Sequence, residues 1–172
     1  IHHYVEAHAG QAVETNDLVN AIQAATGRNF RKFFDQYVYG PGHPDYTVNY
    51  WWDAKAKQAH VRVLQKQVNH SHFSLPLVLR FVNAGGKRDF TETIDEKEHH
   101  FKYKFDSEPL DFRFDPDWGI LKTAEVSKPY RMWLYGLRTD PHPVGRILAA
   151  KEIAKVGTEE SLRALSAAFQ KE

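Results

Sequence analysis

The stretch 26–53, TGRNFRKFFDQYVYGPGHPDYTVNYWWD, constrains the chain most, because a helical period gives way there to a strand period within a few residues. Phe30, Phe33, Phe34, Tyr37 and Val38 recur at i, i+3, i+4, i+7 and i+8, the spacing that gathers apolar side chains on one helical face, and Asn29 precedes them as N-cap. Gly40 and Pro41 then predict the stop, since glycine tolerates the left-handed conformation after a helix and proline cannot continue the ladder. After Gly42-His43-Pro44, residues Tyr46, Val48, Tyr50 and Trp52 alternate with Thr47, Asn49 and Trp51, the period of two that belongs to a strand. Tyr50 and Trp52 are expected to face the core. Trp51 points the other way, and its position between flanking helical segments favours a contact between domains over a ligand surface.

On the N-terminal side of this junction, residues 1 to about 8 read as a helix end, with Tyr4 and Val5 as its apolar contacts and Gly10 as its stop. Thr15 is the expected cap of the next helix, Asp17 sits in its first turn, and Leu18, Val19, Ile22 and Ala25 form the buried stripe up to Gly27. On the other side, Ala59, Val61 and Val63 alternate, as do Leu75, Leu77, Leu79 and Phe81, with Pro76 marking a strand start or an edge. Phe90 and Ile94, then His99, Phe101, Tyr103 and Phe105, then Leu110, Phe112 and Phe114 continue the pattern before the turn Asp115-Pro116-Asp117-Trp118-Gly119. Six or seven short strands at this spacing predict an antiparallel β-sandwich.

Helical periodicity returns after Ser127-Lys128-Pro129. Trp133, Leu134 and Leu137 fit a helix ending near Thr139. Asp140-Pro141 is the expected cap of a second, carrying Ile147, Leu148, Ile153 and Ala154 up to Gly157, and Thr158 with Ser161 opens a third bearing Leu162, Leu165 and Phe169. Two helices around a tight Gly turn fit one unit of an α-solenoid, which cannot bury its faces alone. The fold class expected is multi-domain α and β: the end of a helical domain at 1–44, a β-sandwich at 45–125 and the start of a HEAT-like helical domain at 126–172. Both ends read as interrupted helices, so the chain is expected to be cut from a longer protein.

Charge and motif content narrow the chemistry. Lys plus Arg (23) nearly balance Asp plus Glu (22), so no net basic field recruits nucleic acid or anionic lipid. No apolar run approaches the roughly 18 residues of a membrane helix, and the absence of cysteine removes disulfides and thiolate metal sites. The compartment stays open, with cytoplasm favoured over periplasm. Ten histidines invite a metal hypothesis, but no His-Glu-x-x-His occurs, His70-Ser71-His72 reads as a loop, and His99 and His100 must point to opposite faces of a strand. A cross-strand pair of His60 with His99 or His100 is the nearest approach to a zinc site, and an adventitious one. No P-loop, G-x-S-x-G elbow or dinucleotide fingerprint appears, Gly85-Gly86 reads as hairpin chemistry, and no carboxylate pair is nominated as acid and base.

The segment Tyr4-Val5, 12–18 and 26–40, followed by Gly42-His43-Pro44, resembles the end of the catalytic domain in the aminopeptidase N family of zinc metallopeptidases. There a final helix pair ends in an F-F-x-Q-W/Y sequence and a G-x-P turn opens a β-sandwich; here the matching residues are Phe33-Phe34-Asp35-Gln36-Tyr37. Phe112-Arg113-Phe114-Asp115-Pro116 followed by Ile120-Leu121-Lys122 is similar to the strand closing that sandwich, and 127–172 to the start of the HEAT-type domain. The resemblance implies a parent that binds zinc and removes N-terminal residues from peptides. The family's zinc ligands, general-base Glu, amine-binding Gly-rich motif and catalytic Tyr all precede the matched stretch. No catalytic, cofactor-binding or metal residue is therefore assigned, and the expected role is architectural, with the remainder of the same chain as partner and peptides reached only through the parent. Neither nucleic acid nor membrane is expected as a partner. The alternative is a sandwich-plus-HEAT scaffold or protein-binding module with no peptidase activity.

Overall fold

The computed structural model describes residues 1–68 and 72–170, so His70 and Ser71 of the expected loop lie outside the described residues, as do Lys171 and Glu172. The chain divides into two compact units, Ile1–His43 and Pro44–Glu172.

In the first unit, α1 (His2–His8) and α2 (Thr15–Thr26) are followed by a single α-turn, α3 (Arg31–Phe34). The cap of α2 is Glu14, not Thr15. Its side chain accepts from the Asp17 amide while the Glu14 amide donates to Asp17 Oδ2 at 2.9 Å, a reciprocal box that a threonine one residue later cannot close. Val19 is the buried centre of α2, and Gly27 ends it at φ 69°, as the sequence predicts. The larger departure concerns the aromatic helix: after Phe34 the backbone widens into a π-helical turn, Asp35–Tyr39. Phe33 still meets the rings of Phe30 and Tyr37 at 6.3 and 5.0 Å, but of the expected stripe only Phe34 is buried, while Phe33 and, in the widened turn, Val38 are exposed, as is Tyr39 beside it. Gly40 closes this turn by donating to Asp35 O at 2.9 Å, with φ −85° rather than a left-handed value. Its requirement is space: a Cβ there would stand 2.9 Å from Asp35 O and 3.1 Å from Gln36 O.

Among its described residues the second unit contains seven strands and three helices. Strands β1 (Asp45–Asp53), β2 (Gln58–Gln65), β5 (Glu98–Lys104) and β7 (Thr123–Ser127) form one sheet in the order β5-β2-β1-β7. Strands β3 (Leu75–Asn83), β4 (Gly86–Ile94) and β6 (Asp111–Phe114) form the other, in the order β4-β3-β6. The expectation of antiparallel pairing throughout is corrected at one ladder. β7 runs parallel to β1, Asp45 opposite Thr123 through Asn49 opposite Ser127, because the chain crosses from one sheet to the other after β6 instead of turning back in a hairpin.

Alternation places Tyr46, Val48 and Tyr50 of β1, Val61 and Val63 of β2, Leu77, Leu79 and Phe81 of β3, and Phe112 and Phe114 of β6 in one apolar cluster shared by the two sheets. Burying each such side chain contributes about 1.5–3 kcal/mol relative to leaving it exposed. Pro76 sits in the central strand β3, but at its start, where β4 pairs and β6 does not reach. The hairpin between β3 and β4 turns through Ala84 and Gly85, and Gly86 takes φ 125°.

Helices α4 (Tyr130–Thr139), α5 (Pro143–Val156) and α6 (Glu159–Phe169) follow. Met132 joins the sheet core, while Leu137, Ala149 and Ile153 form a second cluster backed by Trp133, Leu134, Ala164 and Leu165. The cap of α5 is His142, whose Nδ1 accepts from the Val144 amide with Pro143 in the first turn, two residues later than the Asp140-Pro141 expectation. Thr158 caps α6 by accepting from Ser161, with Glu159 and Glu160 in the first turn. The expected stripe of α6 is only partly covered: Leu165 packs, whereas Leu162 and Phe169 are exposed.

Candidate functional site

Two polar clusters in the second unit stand out from ordinary packing. The first lies on the outer face of the four-stranded sheet. The register sets Trp51 opposite His60 and His60 opposite Lys102, while Arg62 faces His100 two pairs along, so Trp51, His60 and His100 share that face. The indole lies 4.9 Å from the His60 ring at 17° and 5.1 Å from the His100 ring at 32°. Beneath it, His60 Nδ1 and His100 Nε2 are 2.9 Å apart, a hydrogen bond that requires one ring to donate and the other to accept. His60 is 9% exposed and its Nε2 finds no partner among the described residues; Trp51 above it is 40% exposed. Burial, Lys102 and His60 together push the His100 imidazole below the usual histidine range. Arg62 grips Glu98 through two bonds of 2.8 and 2.6 Å alongside.

The structure thus selects His100, not His99, as the cross-strand partner of His60. His99 points to the other face, stacked on Phe101 at 5.5 Å and accepting from the Asp95 and Glu96 amides. Two imidazoles supply half of a tetrahedral zinc set, Glu98 is taken by Arg62, and no group of three ligating side chains occurs among the described residues. The residues present do not fit a resident zinc ion.

The second cluster is ionic and buried, where β6, β7 and α4 meet. Asp111, fully buried, accepts from Lys128 Nζ at 2.5 Å and from Arg113 Nε at 2.8 Å. Lys128 also donates to Phe112 O at 2.8 Å and lies 4.2 Å over the Trp133 ring. Burial pulls its ammonium below the ordinary lysine range against the opposing attraction of Asp111. Arg113 reaches Asp140 Oδ2 at 3.4 Å and Thr139 Oγ1 at 3.2 Å, and Asp140 Oδ1 accepts from the His142 amide at 2.9 Å. The cluster thereby ties the strand, the end of α4 and the start of α5 into one polar chain. Nothing in the sequence pattern signals it beyond the polar residues Asp111, Arg113 and Lys128 set among apolar strands.

The turn after β6 is locked in the same manner. Asp115 and Trp118 take left-handed backbone conformations at φ 46° and 55°; Asp115 accepts from the Gly119 and Ile120 amides and pairs with Lys122, whose ammonium lies 4.9 Å over Trp118. Arg80 crosses from β3 to Asp89 with two bonds of 2.8 Å and reaches Asp117 at 3.2 Å, which holds the Asp89 carboxyl below the usual carboxylate range. Tyr103 of one sheet donates to Glu92 of the other at 2.8 Å. These carboxylates and cations are spent on holding the fold.

The fold they hold is aminopeptidase-like. The chain superposes on the crystal structure of Legionella pneumophila aminopeptidase A in complex with aspartic acid with a TM-score of 0.72 and 18% identity, covering 98% of this chain and 21% of that one. Among curated proteins, transcription initiation factor TFIID subunit 2 of Drosophila melanogaster is 22% identical over 93% of this chain and 16% of its own length. The chain therefore spans about a fifth or less of each of these proteins. No family model matches it.

Proposed function

We infer that this chain is a non-catalytic structural portion of a zinc metallo-aminopeptidase-like protein. The observation that carries the reading is the superposition of 98% of the chain on one fifth of an aminopeptidase. In this reading Ile1–His43 closes a helical catalytic domain. The two sheets form a sandwich that braces it, and α4 to α6 begin a HEAT-like solenoid. The buried chain Asp111, Lys128, Arg113, Asp140 fixes the angle at which the helices leave the sheets. Trp51 and its histidine pair face another part of the same parent chain. Zinc and the peptide substrate belong to the parent, outside these residues.

The test is an aminopeptidase assay on the purified chain with a chromogenic amino-acid amide. No turnover is expected, and turnover abolished by a chelator overturns the reading. A second reading, a scaffold or protein-binding module without peptidase activity, is favoured by the likeness to a transcription initiation factor subunit. The sequence preceding Ile1 in the parent separates the two: His-Glu-x-x-His with a downstream Glu supports the enzyme, and its absence supports the scaffold.

A further inference from the structure

Strand β4 lies at the open end of its sheet, paired with β3 along its whole length and, among the described residues, with no strand on its other side. At nine residues it is longer than the other edge strands, β5, β6 and β7. Its register runs without a bulge from Gly86 opposite Asn83 to Ile94 opposite Leu75, and it contains no proline. Such an edge offers a row of backbone donors and acceptors to another strand.

Which groups it offers follows from the neighbouring ladder. Val78 and Val82 turn their carbonyls to the β6 side, where they accept from the Asp115 and Leu110 amides at 2.8 Å. In an antiparallel pair the N–H and C=O of one residue point to the same side, so Thr91 and Lys87, which face Val78 and Val82, direct theirs away from β3. Lys87, Asp89, Thr91 and Thr93 therefore present their backbone groups to the open edge. The side chains between them, Arg88, Phe90 and Glu92, belong to the inner face, opposite Phe81, Leu79 and Leu77. The Arg88 guanidinium lies 5.3 Å from the Phe90 ring and 5.0 Å from the Phe105 ring, and Glu92 accepts from Tyr103 at 2.8 Å. Four residues apart on an extended strand, Arg88 and Glu92 stand about 13 Å from each other. Neither is in an ion pair among the described residues.

We propose that β4 docks edge to edge on β4 of a second copy of this chain, antiparallel about a twofold axis at Phe90. In that register Phe90 meets Phe90, and each Arg88 meets the Glu92 of the other copy. Lys87 stands opposite Thr93 and Asp89 opposite Thr91, so the backbone groups that the edge presents are paired. Moving the axis by one residue breaks the match: centred on Asp89, two like charges meet, and centred on Thr91, Arg88 meets Ile94 and Glu92 meets Phe90. Opposite charges at directly facing positions favour pairing and like charges oppose it, and a twofold interface requires this self-complementarity. The shorter edge of β5 is less suited, since its one acid, Glu98, is already held by Arg62.

Sedimentation of the 172-residue chain reads the association. A monomer–dimer equilibrium in the micromolar range is expected, since a two-strand ladder buries less than the roughly 1,200 Å² of a standard interface. Arg88→Glu and Glu92→Arg each set like charges opposite one another twice and are expected to weaken dimerisation at least about tenfold. An equimolar mixture of these two variants is expected to restore it, because both pairs across the twofold then join opposite charges; a change that only damaged the fold gives no such rescue. Thr91→Pro removes an edge amide that β3 does not use, and is expected to abolish dimerisation with an unchanged far-ultraviolet circular dichroism spectrum. The double variant Leu162→Ser, Phe169→Ser alters the exposed apolar residues of α6 and is expected to leave the dimer intact. A chain that stays monomeric up to about 500 μM, a variant mixture that fails to associate, or association lost in the α6 variant and kept in Thr91→Pro overturns the proposal.

Discussion

Asp111 Oδ1 and Lys128 Nζ meet at 2.5 Å with both side chains almost wholly removed from solvent, the carboxylate at 0% and the amine at 4% exposure. Neither charge reaches water, so each depends on the other and on Arg113 and the Phe112 carbonyl for its solvation.

Removing one partner should therefore cost more than the pair contributes. Asp111→Ala is expected to destabilise the chain by about 3–5 kcal/mol, because Lys128 is left buried with one carbonyl. The double variant Asp111→Leu, Lys128→Met is expected to recover much of that loss. Urea denaturation of the three proteins checks this; a single-variant cost below about 1 kcal/mol would show that water reaches the site.

The turn between α4 and α5 rests on a close approach. A Cβ on Gly145 would collide with the Asp140 carboxylate, which Arg113 and the His142 amide hold in place. Gly145→Ala should lower stability by about 1–3 kcal/mol although alanine is the better helix former. Thermal melts of Gly145→Ala alone and with Asp140→Ala provide the test: in the double variant the added methyl should have little further effect.

The histidine pair predicts a pH dependence. The folded His100 pKa lies below its ordinary 6.5, so below that pH the unfolded chain binds more protons than the folded one. Stability should fall as pH drops from 6.5 toward the lower folded value and be insensitive to this group above 6.5. Lys102, His60 and Arg62 oppose protonation there and Glu98 favours it. Melting midpoints between pH 7.5 and 5 should decline less in His100→Gln than in the parent chain; parallel declines would remove His100 as the cause.

Tyr50 carries its ring into the shared core, stacked on Phe112 at 5.5 Å, while its hydroxyl has no hydrogen-bond partner among the described residues. Burial pushes the phenol well above the usual tyrosine range. Tyr50→Phe keeps the ring and removes an unsatisfied group, so it should be neutral or stabilising by up to about 1 kcal/mol. A loss above about 1 kcal/mol in denaturant titration would reveal a partner for that oxygen.

Much of the strand pattern is legible residue by residue. Ala59, Val61 and Val63 and then Leu75, Leu77, Leu79 and Phe81 are buried where alternation places them, and Trp51 is exposed where it predicts. β7 is harder to read: Ala124 and Val126 alternate with Thr123, Glu125 and Ser127 over only five residues. Its parallel partner lies 78 positions away at its first pair, so no hairpin signal marks it. The histidine pair was half legible, since alternation separates His99 from His100 but does not say which one the register sets beside His60.

Local chemistry written in the sequence determined the periods of the strands, the left-handed ends at Gly27 and Gly157, the Thr158 cap and the outward Trp51. These depend on a residue and its near neighbours. Tertiary structure decided the π-helical turn at Asp35–Tyr39, the parallel β1–β7 ladder and the burial of Lys128 against Asp111. The last two require segments far apart in the chain to meet in one register, and the energy of a charge depends on what surrounds it after they have met.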